Sequence, residues 1–141
     1  MMRIFIMKFF LLFILSTTLI LFINPASQAQ SDVINGVKAA LKSGNSKELA
    51  KYFNSSIELI VEAENVDMDK VSDAQAELIL KTFFQKYPAK DFSYVHQGSS
   101  PEGLQYSTGT YQSANGSFLV YMVVKQFGGK YMIDRIDFRN Q

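Results

Sequence analysis

The alternation of apolar and polar positions along the chain changes period several times, and each change predicts an element. Residues 9–23, "FFLLFILSTTLILFI", have no period at all and are apolar apart from Ser16, Thr17 and Thr18. A helical period follows: "SDVINGVKAALKSGN" places Val33, Ile34, Val37, Ala40 and Leu41 on one face. Ser31 or Asp32 is the expected N-cap, and Gly44-Asn45 the stop. Gly36 is a weak point inside that helix. A second, shorter helix restarts from a Ser46 cap and offers Leu49, Ala50, Tyr52 and Phe53 to the same core. In "SIELIVEAE" the period drops to two: Ile57, Leu59, Val61 and Ala63 alternate with Glu58, Ile60, Glu62 and Glu64, which predicts a strand with one wet face. "NVDMDKV" reads either as a continuation past a turn or as an irregular link.

The strongest helical signal comes next. Ser72-Asp73-Ala74-Gln75 matches a capping box, and Ala76, Ile79, Leu80, Phe83, Phe84 and Tyr87 form a stripe that Pro88 ends. The last third alternates throughout and predicts strands at about 91–98, 104–113, 117–127 and 130–139. Asn115-Gly116 and Gly128-Gly129 are tight-turn signals, so consecutive strands should pair antiparallel. The strand "SFLVYMVVKQF" is apolar on both faces: Phe118, Val120, Met122 and Val124 on one, Leu119, Tyr121, Val123 and Phe127 on the other. Such a strand is expected to be central and covered on both sides. The chain's helices can cover one face; sheet curvature, a second subunit or a ligand must cover the other.

Charge and composition narrow the setting. Arg3 and Lys8 precede the apolar run, Asn24-Pro25 end it, and Ser27 to Ala29 supply small residues, which together make the three-part pattern of a secretory leader. Ile4 to Ile23 is nearly long enough to span a bilayer, so a retained anchor is the rival reading. The break and the small-residue site favour cleavage after Ala29, which leaves residues 30–141 as a single exported domain, periplasmic or secreted and free of the membrane. A lipoprotein anchor would need a cysteine, and the chain has none. The same count rules out disulfides, thiolate chemistry and cysteine metal sites. Beyond the leader, basic residues nearly balance the 13 acidic ones without a basic cluster, which argues against a nucleic-acid partner.

The order helix, helix, strand, long helix and four antiparallel strands resembles the α+β roll called nuclear transport factor 2-like or cystatin-like. The stretches that carry the likeness are "VINGVKAALKSGNSKELAKYFNSSIELIVE", "SDAQAELILKTFFQKYP", "FSYVHQGSS" and "YMIDRIDFRN". "QAELILKTFF" and "HQG" together with a leader resemble domain of unknown function 4783, a family of small exported Bacteroidetes proteins. The resemblance implies a curved antiparallel sheet wrapped on a long helix, with a cone-shaped cavity, and it brings no established activity. Proteins of this roll include enzymes, ligand binders and dimerisation modules, so the fold alone does not decide among them.

Candidate chemistry is sparse. His96 is the only histidine, and its pKa range suits proton transfer. Plain alternation puts it on the face of Phe92 and Tyr94, either as a working base or as a side chain that fixes the Gln97-Gly98 corner. Asp134 alternates with Met132, Ile136 and Phe138, so it is expected either to face an apolar cavity or to be held in an ion pair. His96 and Asp134 inside one cavity would make an acid–base pair of a ketosteroid-isomerase-like or SnoaL-like enzyme. Tyr94, Tyr106, Tyr111 and Tyr121 either line a pocket or pair across strands in the core. Asn65-Val66-Asp67-Met68-Asp69 begins like a calcium loop, but Lys70 and Ala76 occupy the positions where glycine and glutamate are needed.

The sequence thus predicts a non-catalytic exported domain without cofactor or metal. It binds a small apolar ligand in the cone (Phe83, Tyr94, His96, Tyr111, Tyr121 and Asp134 as the lining), a second copy through the outer sheet face (Leu119, Tyr121 and Val123, or the opposite face), or both. The enzyme reading and a cell-envelope interaction module, with a filled cone and an exposed apolar patch, are the alternatives.

Overall fold

The computed structural model describes residues 25–141, with side chains from Ala29 onward. The apolar run at 9–23 and most of the expected leader lie outside the described residues. Helix α1 spans Pro25–Ser43. It runs through Ser31 and Asp32, so neither caps it, and it crosses the expected cleavage point between Ala29 and Gln30. Val37, Ala40 and Leu41 form its buried face. Gly36 lies where the Tyr52 hydroxyl packs against the helix, in space a Cβ would occupy. The apparent weak point of α1 is therefore a contact.

Gly44 takes a left-handed turn (φ 60°) out of α1. Helix α2, Ser46–Ala50, is capped by Asn45, whose side chain accepts a hydrogen bond from the Glu48 N–H at 3.0 Å; Ser46, the expected cap, is buried instead. Because α2 ends at Ala50, Phe53 enters the core as the first residue of strand β1, Phe53–Val61. A 3₁₀ turn at Glu62–Glu64 and Asn65 in the left-handed region (φ 54°) reverse the chain into β2, Val66–Ser72. "NVDMDKV" is thus an edge strand, mostly exposed, antiparallel to β1.

Helix α3, Asp73–Lys86, starts as expected, with Ser72 Oγ accepting from the Gln75 N–H at 3.2 Å. Its buried face is Ala76, Leu80, Phe83 and Phe84, with Ile79 and Tyr87 partly buried. Four strands follow: β3, Ala89–Ser99; β4, Gln105–Ser113; β5, Gly116–Phe127; and β6, Lys130–Asn140. The turns fall at Ala114-Asn115, one residue before the expected Asn115-Gly116, and at Gly128-Gly129, where both glycines have positive φ. The single sheet has the order β2-β1-β6-β5-β4-β3, with β1 and β6 parallel and every other pair antiparallel. Among the described residues no helix is long and apolar enough to cross a membrane.

Aromatic rings fill the concave side. The Phe83 ring lies 5.0 Å from those of Phe118 and Phe138, 5.2 Å from Tyr87 and 5.8 Å from Tyr111. Phe92 crosses β4 at Gly109, where an added Cβ would meet Phe92 Cζ at 2.5 Å and the Ser93 carbonyl oxygen at 2.7 Å. Glycine is what lets that ring lie flat on the strand.

Two bulges change which side chains face inward. In β3, Tyr94 pairs with Gly109 but His96 pairs with Thr108, so Val95 is the extra residue. In β6, Val124 pairs with Ile133 and Val123 with Arg135, so Asp134 is the extra residue. Plain alternation carried through either bulge assigns the wrong face to the residues beyond it.

Candidate functional site

The bulge at Val95 takes His96 off the face of Phe92 and Tyr94. His96 is exposed, and Gln97 occupies the inward position opposite Ser107. The bulge at Asp134 does the equivalent in β6. Ile133, Ile136 and Phe138 are buried, while the Asp134 carboxylate turns to Lys125 Nζ at 2.7 Å in a half-exposed ion pair. Its partner is thus a lysine of the neighbouring strand, the ion-pair alternative. His96 and Asp134 sit on β3 and β6, with β4 and β5 between them. That is three strand spacings, or about 14 Å across the sheet. No hydrogen bond joins them among the described residues, and the acid–base pair is not assembled.

The remaining expected lining residues mostly hold the core together. Phe83 and Tyr111 are fully buried in the aromatic cluster, and the Tyr111 hydroxyl donates to the Tyr87 carbonyl at 2.6 Å. Tyr94 donates to the Ile34 carbonyl at 2.9 Å and so ties α1 to β3. Burial pushes the Tyr111 phenol up to about 12 and raises that of Tyr94 as well, so both remain neutral donors. Tyr121 lies on the outer sheet face with the Arg135 guanidinium 5.5 Å from its ring centre.

That outer face carries an ionic cluster centred on Asp137, a residue that sequence reasoning passed over in favour of Asp134. Asp137 is 1% exposed. Arg135 grips it with two hydrogen bonds, at 3.0 and 2.8 Å, and Arg139 donates to it at 3.0 Å. Glu58 then pairs with Arg135 at 3.1 Å and Glu62 with Arg139 at 3.3 Å. The signal was present in "RIDFR": an aspartate with arginines two residues to either side lies between them on one strand face. Hydrogen bonding to Asp137 raises the already high pKa of Arg135.

A wider opening lies elsewhere, between α1 and the far ends of β3, β4 and β5. It is a cleft of about 420 Å³. Its roof is one face of α1, carrying Gln30, Ser31, Ile34 and Asn35 at helical spacing; its floor is the inward row Gln97, Ser107, Ser99, Gln105 and Val124. Among the described residues no carboxylate, ammonium, guanidinium or imidazole lines it. Gln30 Nε2 donates to Gln105 Oε1 and bridges roof to floor. Ser107 is 3% exposed, and the little surface its hydroxyl keeps opens to this cleft. This site carries neither charge nor a stripe of aromatics, the features that mark candidate chemistry in a sequence. The usable signal was β4, where the inward positions run Gln105, Ser107, Gly109, Tyr111: small or polar at one end, apolar at the other. Among the described residues no three His, Asp or Glu side chains gather as a metal cluster.

The mixed curved sheet wrapped on one long helix, with two helices before it, defines a nuclear transport factor 2-like fold. The same fold is seen in a nuclear transport factor 2-like protein of unknown function from Silicibacter pomeroyi, with a TM-score of 0.58 at 12% identity over 81% of this chain and 94% of that one. Residues 34–139 match the model of domain of unknown function 4783, and the chain belongs to that family. Two crystal structures of family members are similar over about three quarters of the chain. The protein from Bacteroides uniformis is 30% identical with a TM-score of 0.69, covering 76% of this chain and 95% of that one. The protein from Bacteroides ovatus is 29% identical with a TM-score of 0.69, covering 75% and 93%. No curated protein matches the chain.

Proposed function

We propose that the chain is a non-catalytic binding domain, exported through its leader, whose ligand site is the cleft beneath α1. The observation that carries this reading is a contrast within the concave side. Where apolar walls converge they are packed against one another around Phe83, while the polar end remains open and uncharged. The ligand it favours is therefore polar and neutral rather than apolar. Among the described residues no side chain lining the cleft is placed to take or deliver a proton near neutral pH, which favours binding over turnover; cleavage after Ala29 would add only the Gln30 α-amino group at the rim.

The test is a thermal-shift panel of neutral polar, charged and apolar small molecules, run on the protein and on Asn35→Arg. Asn35 is exposed on the roof, so a long cationic side chain there blocks the cleft without disturbing the core. Neutral polar compounds should raise the melting temperature of the parent and lose that effect in the variant. Stabilisation that survives Asn35→Arg would place the site elsewhere.

A second reading is supported by the outer sheet face. Leu119 and Tyr121 remain half-exposed on the central strand β5, beside an ionic cluster whose charges are internally paired. Internal pairing lowers the cost of covering that face with a second copy. Sedimentation at micromolar concentration should then give a dimer, and Leu119→Arg a monomer. A parent that sediments as a monomer rules this assembly out.

A further inference from the structure

If the cleft is the binding site, its chemistry specifies more than a polar, neutral ligand. Four primary amides line it, from Gln30, Asn35, Gln97 and Gln105, together with the hydroxyls of Ser31, Ser99 and Ser107. Each amide both donates and accepts, as does each hydroxyl. A charged ligand entering here would leave its hydration shell and meet no charged side chain, an anion finding at most the Gln30 α-amino group that cleavage after Ala29 leaves at the rim; a wholly apolar one would strand the amides without partners. The complementary ligand carries many groups that donate and accept at once, on a compact frame with some exposed C–H surface for Ile34 and Val124.

Ser107 points the same way. It lies on the inward face of β4, an interior strand, between Gln97 of β3 and Met122 of β5. The residue is almost wholly buried, its side chain makes no hydrogen bond to another described residue, and it lines the cleft, where its hydroxyl keeps a little accessible surface. A hydroxyl that can be reached only from the cleft takes its hydrogen bond from whatever the cleft holds, water or a ligand. The Gln30–Gln105 bridge closes one end of the space above it. Opening that bridge frees two of the four amides toward whatever enters. The bridge joins residues far apart in sequence, so it holds the roof at a fixed height over the floor until it is exchanged for a ligand.

We propose that the cleft binds a neutral polyhydroxylated ligand, a single sugar residue or the end of a neutral sugar chain, with Ser107 Oγ as the buried anchor and the Gln30 and Gln105 amides as the exchangeable rim. A peptide is the lesser fit, because its donors and acceptors alternate along an extended line suited to a sheet edge, whereas this cleft lies over a sheet face.

The experiment is calorimetric titration of the protein and of Ser107→Ala with glucose, galactose, mannose, N-acetylglucosamine and myo-inositol. Glucuronate and glucosamine serve as charged counterparts and indole as an apolar one. At least one neutral polyol should bind saturably, and Ser107→Ala should weaken it about tenfold, the loss expected for one hydrogen bond of ordinary strength. The thermal stability of Ser107→Ala without ligand should equal or exceed that of the parent, since the hydroxyl removed has no partner to lose. A drop in that stability would mean the hydroxyl is used internally and would overturn its role as anchor. Neutral polyols that bind with equal affinity to both proteins overturn the anchor as well. If only the charged or apolar probes bind, and Asn35→Arg abolishes that binding, the ligand class proposed here is refuted while the cleft stands as the site. If no probe of any class binds in the cleft, the binding reading itself falls.

Discussion

Phe83→Ala should destabilise the protein by about 3–5 kcal/mol, the range for removing a buried aromatic side chain whose neighbours cannot collapse into the space. Phe83 is fully buried, and the rings of Phe84, Tyr87, Tyr111, Phe118 and Phe138 all lie within 5.8 Å of its own. They are fixed by α3 and by three different strands, so no small shift closes the gap. The measurement is the urea midpoint, with Leu78→Ala as control. Leu78 is 65% exposed on the same helix, and its loss should change stability by no more than about 0.5 kcal/mol. The variant also bears on function. If the aromatic end of the concave side is filled in the parent, benzene should stabilise Phe83→Ala, through the new void, and leave the parent unchanged. Stabilisation of the parent by benzene would revive an apolar ligand.

The second large effect is expected on the outer face. Arg135→Met removes the guanidinium that makes two hydrogen bonds to Asp137 and leaves a 1%-exposed carboxylate with Arg139 alone. Breaking a buried pair from one side costs about 3–5 kcal/mol where nothing else compensates. Because Arg139 remains, we expect about 2–3 kcal/mol, read again as a urea midpoint. Glu58→Gln removes only the half-exposed outer partner of Arg135 and should cost less than about 1 kcal/mol. Equal losses from the two substitutions would show that the cluster is a surface network and that the burial of Asp137 contributes nothing.

The periodic parts of this fold were legible in the residues, and the irregular parts were not. Turn glycines and plain alternation placed β3 to β6 within two residues at each end, and the Ser72 cap placed α3. The parallel pairing of β1 with β6 left no mark, because the partners are separated by most of the chain. The short reach of α2 was also hidden: Phe53 is apolar and buried whether it ends a helix or opens a strand. For the candidate site, single extra residues decided the outcome. Val95 and Asp134 each displace the register by one, so His96 and Asp134 leave the faces that alternation gives them. Nothing in "SYVHQ" or "MIDRI" marks a bulge locally, since both stretches alternate acceptably on either reading. The cleft was obscured for a different reason. Its roof begins at Gln30, where the expected leader ends, and its floor consists of glutamines and serines, residue types that are more often found on solvated surfaces. Only their positions opposite one another under α1 give them meaning.

Whether a neutral hydroxylated ligand occupies the cleft beneath α1 can be read residue by residue. The measurement is a ¹⁵N NMR titration with the neutral sugar that binds best, following side-chain amide resonances. The amide signals of Gln30, Asn35, Gln97 and Gln105 should move together on one saturating curve, while the backbone signals of Val95, Leu119 and Asp134 stay still. Saturable shifts confined to the outer face, or to the surroundings of Asp134, with the four cleft amides unmoved, would contradict binding in the cleft.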